Sequence, residues 1–298
     1  MFFDAIMENY RFPLPVKEGE MVSQRVYQIA AGSGRNSKRF LIGLAAGLLG
    51  GLVGVGGGVV MIPLMVRFFK FSQHQGHGTS LMALVFTGLA GAFTYGRKGS
   101  VDVLAALLLA AAAMVTARFG ALYAQALPER GLKRAFGLYL IFISLLLLSK
   151  SYLPHLSILG QGAGSWGKPL VLLGVGAVTG FISGMMGTGG AGIMVVAMVL
   201  LAGFSQHTAQ GSALLAMVPA GAMGAYTHWR LGNVVFQVLS GLIVGIILGT
   251  YGGSSAAMHL SELHLRLLFS GMLIMLGIRY VRSAAQKRLA LVEAAKAA

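Results

Sequence analysis

Gly54-Val55-Gly56-Gly57-Gly58 interrupts an apolar run near residues 41–70, and Gly187-Thr188-Gly189-Gly190-Ala191-Gly192 interrupts another near 169–203. The two clusters lie 133 residues apart, and the same offset holds without a gap on either side of them. Phe71-Ser72-Gln73-His74 returns as Phe204-Ser205-Gln206-His207. Met61 pairs with Met194, Gly78 with Gly211, Gly91 with Gly224, Thr94 with Thr227, Arg97 with Arg230, Gly99 with Gly232 and Phe136 with Phe269. Identities in such number at one spacing mark an internal duplication. Two long copies do not fit a solenoid, which stacks three or more short units. The expected fold is an all-α polytopic membrane protein of two homologous four-segment repeats, 40–150 and 169–282, the first segment of each broken by a Gly-rich loop.

Composition sets the class. Of 298 residues 56% are apolar and 10% charged, against about 25% charged in an ordinary soluble domain, which rules out a soluble globular enzyme. A spanning helix takes about 20 apolar residues, so the inventory suits six to eight spans. Hydropathy marks segments near 41–70, 79–96, 101–127, 132–150, 169–203, 211–229, 234–257 and 265–282. The formal net charge of +15 would suggest nucleic acid in a soluble protein. Here the Lys and Arg gather in tails and short loops, where they orient a membrane protein, so the expected partner is a lipid bilayer and not nucleic acid. There is no cysteine, which excludes disulfides and thiolate chemistry. Residues 1–39 read as a polar cytoplasmic tail without a secretory signal pattern, 151–168 as a linker and 283–298 as a basic tail. The expected location is a bacterial plasma (inner) membrane with both termini cytoplasmic.

The glycine clusters are the first candidate site: Gly54, Gly56, Gly57 and Gly58 in one half, Gly187, Gly189, Gly190 and Gly192 in the other. Glycine disfavours continuous helix by up to about 1 kcal/mol relative to Ala. A helix broken inside a membrane must bury its freed backbone groups in protein or line a wet cavity with them. Half-helices starting at the breaks would aim N–H groups and positive dipole ends inward, which favours an anion. The competing reading is that the glycines merely let helices pack closely. If the broken segment crosses the bilayer the halves are parallel; if it is re-entrant they are inverted. The distribution of Lys and Arg leans toward the inverted form.

Other polar residues recur. Arg97 and Arg230 end the second segment of each half, and a guanidinium offers a fork of donors that suits an oxyanion, although an interfacial arginine would look the same. Thr79, Ser80 and Ser212 stand where the second segment opens and are expected to cap it or to meet the anion. His74, His77 and His207 raise the question of protons or metal; only His74 and His207 recur, and they stand where loops are expected with no carboxylate near, so a loop position is the favoured reading and proton carriage the alternative. Tyr95, His228 and Trp229 read as an interfacial aromatic belt. Asp102, Glu129 and Glu262 fall at segment ends, which argues against an acidic cation site. Nothing in the sequence suggests a cofactor, a metal site or a matched nucleophile and base, so an enzyme is not expected.

Gly54 to Gly58 followed by Pro63-Leu64, then Gly78-Thr79-Ser80-Leu81, then Arg97-Lys98-Gly99-Ser100-Val101-Asp102, with the echoes of each in the second half, resemble the sulfite exporter TauE/SafE family of membrane permeases. The resemblance covers about 40–282. It implies a duplicated fold of seven or eight hydrophobic segments and transport of sulfur-containing anions such as sulfite, sulfoacetate and related sulfonates. It points to the glycine loops, Thr79, Ser80, Ser212 and the two arginines as matching positions. The second half departs from the pattern at Val196 and at Leu231-Gly232-Asn233-Val234-Val235. The expected function is secondary transport of a small anion by alternating access, with a proton or sodium ion as coupling ion and an oligomer compatible with it. The alternative is a channel or carrier for a neutral sulfur compound, another anion or a metal ion.

Overall fold

The recurring Phe-Ser-Gln-His starts a helix. Ser72 accepts a hydrogen bond from the Gln75 backbone N–H at 3.1 Å, and Gln75 Oε1 accepts from the Ser72 N–H at 3.2 Å, a capping box that satisfies two donors reciprocally. Ser205 caps its helix through the Thr208 N–H at 3.3 Å. His74 and His207, expected in loops, therefore lie in first helical turns. Thr79 and Ser80, expected to open the segment, lie in its second turn, because the cap sits several residues earlier than the apolar run that hydropathy detects.

The structure is a computed structural model and describes residues 34–54, 56–149, 167–257, 267, 270, 271 and 273–283. The tail before residue 34, the linker segment 151–166 and the basic end beyond 283 lie outside the described residues. The helices are α1 (Gly34–Val53), α2 (Gly58–Phe68), α3 (Gln73–Gly96), α4 (Val103–Ala126), α5 (Glu129–Ser149), α6 (Gly167–Met186), α7 (Ala191–Ala202), α8 (Gln206–Arg230), a 3-10 turn Phe236–Val238 running into α9 (Leu239–Ala257), and α10 (273–283). No strand occurs among the described residues. The starts of α1 and α6, α2 and α7, and α3 and α8 are each separated by 133 residues, as are Val103 and Phe236.

Two of the expected apolar segments, 41–70 and 169–203, are thus each a long helix, a glycine loop and a short helix. Helix α3, α4, α6 and the stretch Phe236–Ala257 are long and apolar enough to cross a membrane. Helices α2 and α7 have 11 and 12 residues, about half of a hydrocarbon core some 30 Å thick at about 1.5 Å per residue. Helix α1 starts seven residues before the expected segment. Its first turns are polar, with Arg39 donating to Asn36 Oδ1 at 3.0 Å, and hydropathy registers contact with lipid, not helix.

Small residues set the packing. Gly43, Gly47 and Gly51 of α1 face Leu242, Ile246 and Thr250 of α9, and a Cβ on Gly47 would stand 2.5 Å from the Ile246 carbonyl oxygen. Gly176, Gly180 and Gly184 of α6 face Leu109, Ala113 and Ala117 of α4 in the same way. Lipid tails supply no hydrophobic drive between helices, so close backbone approach does the holding. Both pairs run parallel, since their numbers rise together. Helices α3 and α8 run antiparallel: Gly78 meets His228, Gly224 meets Leu81, Gly88 meets Leu214 and Val218, and Gly211 meets Tyr95.

Candidate functional site

Each glycine loop is buried and follows the end of a long helix. Gly54 and Gly56 have φ of 71° and 75°, and Gly187 and Gly189 have φ of 69° and 81°, the left-handed region that only glycine enters without strain. The two loops touch. A Cβ on Gly56 would lie 3.2 Å from the Thr188 carbonyl oxygen, and one on Gly58 would lie 2.9 Å from that of Gly187. Leu84 of α3 and Met217 of α8, themselves 133 residues apart, both pack against the loops, Leu84 on Gly58 and Gly189, Met217 on Gly56 and Gly189. Thr188 is tied to α5 by its hydroxyl, 2.9 Å from the Tyr139 hydroxyl.

The short helices begin at the loops. Gly57 and Gly190 are their N-caps, and neither can offer a side-chain cap. Val60 and Met61 bond back to the Gly57 carbonyl, and Ile193 and Met194 to that of Gly190. The N–H groups of Gly58 and Val59, and of Ala191 and Gly192, therefore have no acceptor within their own helices. Ser80 Oγ lies beside Gly58, where a Cβ would come within 2.9 Å of it, and Ser183 packs against Gly190. Both hydroxyls are fully buried with no hydrogen-bond partner. Ser183 carries no counterpart at the offset, where Gly50 stands, so the repeat gave no signal for it.

The long helices end on Tyr95 and His228, which were expected in an interfacial belt, and on Gln210 and His77, to which the sequence assigned no such role. Tyr95 donates to Gln210 Oε1 at 3.0 Å and reaches the Gly51 carbonyl at 3.4 Å, while Gln210 Nε2 donates to the Val53 carbonyl at 3.0 Å. On α6, His228 Nε2 lies 2.9 Å from the Gly184 carbonyl and His77 Nδ1 lies 3.0 Å from that of Met185. A carbonyl only accepts, so each of these ring nitrogens carries the hydrogen. The offset relates His77 to Gln210 and Tyr95 to His228: the same two jobs are done in both halves by different residues. The expectation that Tyr95 and His228 form an interfacial belt is corrected, because both are buried. Trp229 is about half exposed and stacks edge-on with Tyr226 and Phe236.

Thr79 and Ser212 bridge the halves. Thr79 Oγ1 accepts from the Val235 N–H at 3.0 Å, and Ser212 Oγ from the Asp102 N–H at 2.8 Å, positions again related by the offset. These hydroxyls fix the start of a helix in the opposite half. Arg97 and Arg230 stand exposed at the ends of α3 and α8, the Arg97 guanidinium 5.8 Å from the Phe93 ring centre. Of the expected site residues, the structure gathers the glycines and Ser80 at the centre and sets the arginines at helix ends. His74 Nε2 is 3.1 Å from the Ala124 carbonyl, and His207 is half-buried in the first turn of α8.

The sequence model of the sulfite exporter TauE/SafE family matches residues 39–280. Among curated relatives, the probable membrane transporter protein YunE of Bacillus subtilis is 25% identical over 260 residues, covering 81% of this chain and 95% of the relative. YdhB of the same organism, also described as a probable membrane transporter protein, is 27% identical over 215 residues, 72% of this chain and 87% of its own length. The probable membrane transporter protein MJ0441 of Methanocaldococcus jannaschii is 24% identical over 253 residues, 80% of this chain and 92% of its own. No solved structure matches. An all-helical membrane chain with paired broken helices, matched over nearly its whole described length, belongs to the sulfite exporter TauE/SafE family and is a membrane transporter.

Proposed function

We propose that the chain is a secondary transporter of a small sulfur-containing oxyanion, sulfite or an organosulfonate, and that its two halves are inverted repeats gating around the glycine loops. The antiparallel crossing of α3 and α8 supports inversion. Equivalent helices run the same way when halves are related by an axis along the membrane normal, and opposite ways when the axis lies in the membrane plane. Helices α2 and α7, at half the hydrocarbon thickness, then return the chain to the side from which α1 and α6 came. Both termini face the cytoplasm of a bacterial plasma membrane.

The observation that carries the reading is the meeting of two buried, uncapped half-helix starts beside the unpartnered Ser80 hydroxyl. Inward N–H groups and a hydroxyl donor hold an oxyanion by directed hydrogen bonds and dipole ends. No fully buried cation is needed, which would cost several kcal/mol unpaired. Parting the loops toward one side or the other, with Leu84 and Met217 as the apolar contact between them, gives alternating access. Arg97 and Arg230 then stand at opposite membrane faces, where each attracts anions to one entrance.

Uptake of radiolabelled sulfite into proteoliposomes tests this. Ser80→Ala conserves volume and is expected to lower sulfite affinity about tenfold, the loss of roughly 1.4 kcal/mol. Uptake by the parent no greater than by protein-free vesicles would sink the anion assignment, with competition by neutral sulfur compounds or metal ions identifying another solute. Unchanged uptake by Ser80→Ala would remove the site.

A further inference from the structure

The two broken-helix ends are built alike and charged differently. The end of α1 is held by Tyr95 and Gln210, and the end of α6 by the imidazoles of His228 and His77. Tyr and Gln stay neutral across the physiological range, whereas imidazole changes charge near neutrality. The two imidazoles also differ from each other. His228 Nε2 donates to the Gly184 carbonyl while its Nδ1 faces Asn233 Nδ2 at 3.4 Å, so both nitrogens are engaged. His77 donates through Nδ1, and its Nε2 is fully buried with no partner. His77 stands about one helical turn before Ser80 on α3, and its backbone and Cβ pack directly on Gly187, the first residue of the second loop.

We propose that His77 Nε2 binds a proton that travels with the anion, which makes the transporter a proton symporter with its coupling site at the end of α6 and no counterpart at the end of α1. The inference rests on the anion-transport reading above. The step balances: a proton joins the Nε2 lone pair, the ring goes from neutral to +1, and a monoanion held at the loops brings the sum to zero. A buried imidazolium is costly alone and is relieved by a nearby opposite charge, so anion and proton each favour the other's binding, as linkage requires. The C-terminal carbonyls of α6 also favour a cation at that end.

The titratable neighbours have assigned places. His74 on α3 and His228 on α8 are close enough to act electrostatically on His77. From α5, the Phe136 ring lies 5.3 Å from the His77 ring, centre to centre, with Tyr139 beyond it on Thr188. Glu129 accepts from the Gln73 N–H a turn earlier on α3, and the Tyr280 ring of α10 lies 5.3 Å from that of Phe136, centre to centre.

His77→Gln installs the residue that the first half uses at the equivalent place, whose amide can still donate to the Met185 carbonyl. Methanesulfonate is the probe, since its own charge is fixed above strongly acid pH. Calorimetric titration in two buffers of different ionisation enthalpy counts protons taken up per anion. The parent is expected to take up about one near neutral pH and His77→Gln none, with a loss of acid-driven sulfite uptake of tenfold or more. Imidazole nitrogen spectra of the parent, which need no variant, are expected to show the His77 signal gaining a proton on methanesulfonate addition. Methanesulfonate binding without proton uptake, uptake undiminished in His77→Gln, or uptake lost only in His207→Gln would overturn the assignment and leave the transport reading standing. Failure of the parent to bind either methanesulfonate or sulfite would overturn the transport reading itself.

Discussion

Thr79 and Ser212 show how a residue can be visible in sequence while its work is not. Their positions recur at the offset and were legible as special, yet each hydroxyl answers an N–H of the other half, 156 residues away for Thr79 and 110 for Ser212. Thr79→Val keeps shape and removes the acceptor, leaving the buried Val235 N–H unpaired. A loss of about 1–3 kcal/mol is expected, seen as a lower melting temperature in detergent, whereas Thr79→Ser should stay near the parent. Equal melting of the two variants would show that the bond does not contribute. Tyr95 and His228 were misplaced for the same reason. An aromatic residue two positions before a terminal arginine looks interfacial, and only the carbonyls at the ends of α1 and α6 show what it meets.

At the scale of elements, the glycines sort into those that break helices and those that join them, and sequence could not separate the two. Gly252 and Gly253 are adjacent in α9. A Cβ on Gly252 would meet nothing within 4 Å, while one on Gly253 would run into the Leu48 backbone of α1. Gly252→Ala is therefore expected to stabilise by up to about 1 kcal/mol through helix propensity alone. Gly253→Ala is expected to lower the melting temperature and the yield of folded protein by separating α1 from α9. Size-exclusion profiles and thermal melts of the two variants check this, and equal behaviour would show that the glycine contact is dispensable. The hydropathy runs marked a segment wherever a long helix occurs among the described residues, with boundaries displaced at α1 and α3. The caps were not read correctly: Thr79 and Ser80 were expected to open the segment, whereas Ser72 caps α3 through the Gln75 N–H and Asp102 caps α4, its Oδ1 accepting from the Ala105 N–H at 2.9 Å.

For the whole molecule, the inverted arrangement proposed above would put the turns after α3 and α8, which cross antiparallel, on opposite membrane faces. The chain has no cysteine, so single substitutions label without background. Lys98→Cys and Leu231→Cys are expected to react with a membrane-impermeant maleimide from opposite sides of oriented vesicles; reaction from the same side would favour parallel halves. The sequence by itself determined the membrane class, the recurrence of motifs at one spacing, the glycine breaks and the family resemblance, because composition and the spacing of motifs are read along the chain without its contacts. Tertiary structure alone decided that the loops touch, that α3 and α8 cross head to tail, and which side chains close the helix ends. Those are contacts between residues more than 100 positions apart. The distribution of Lys and Arg only leaned toward the inverted form, and the head-to-tail packing of α3 on α8, a contact between distant residues, is what supports the inversion proposed above.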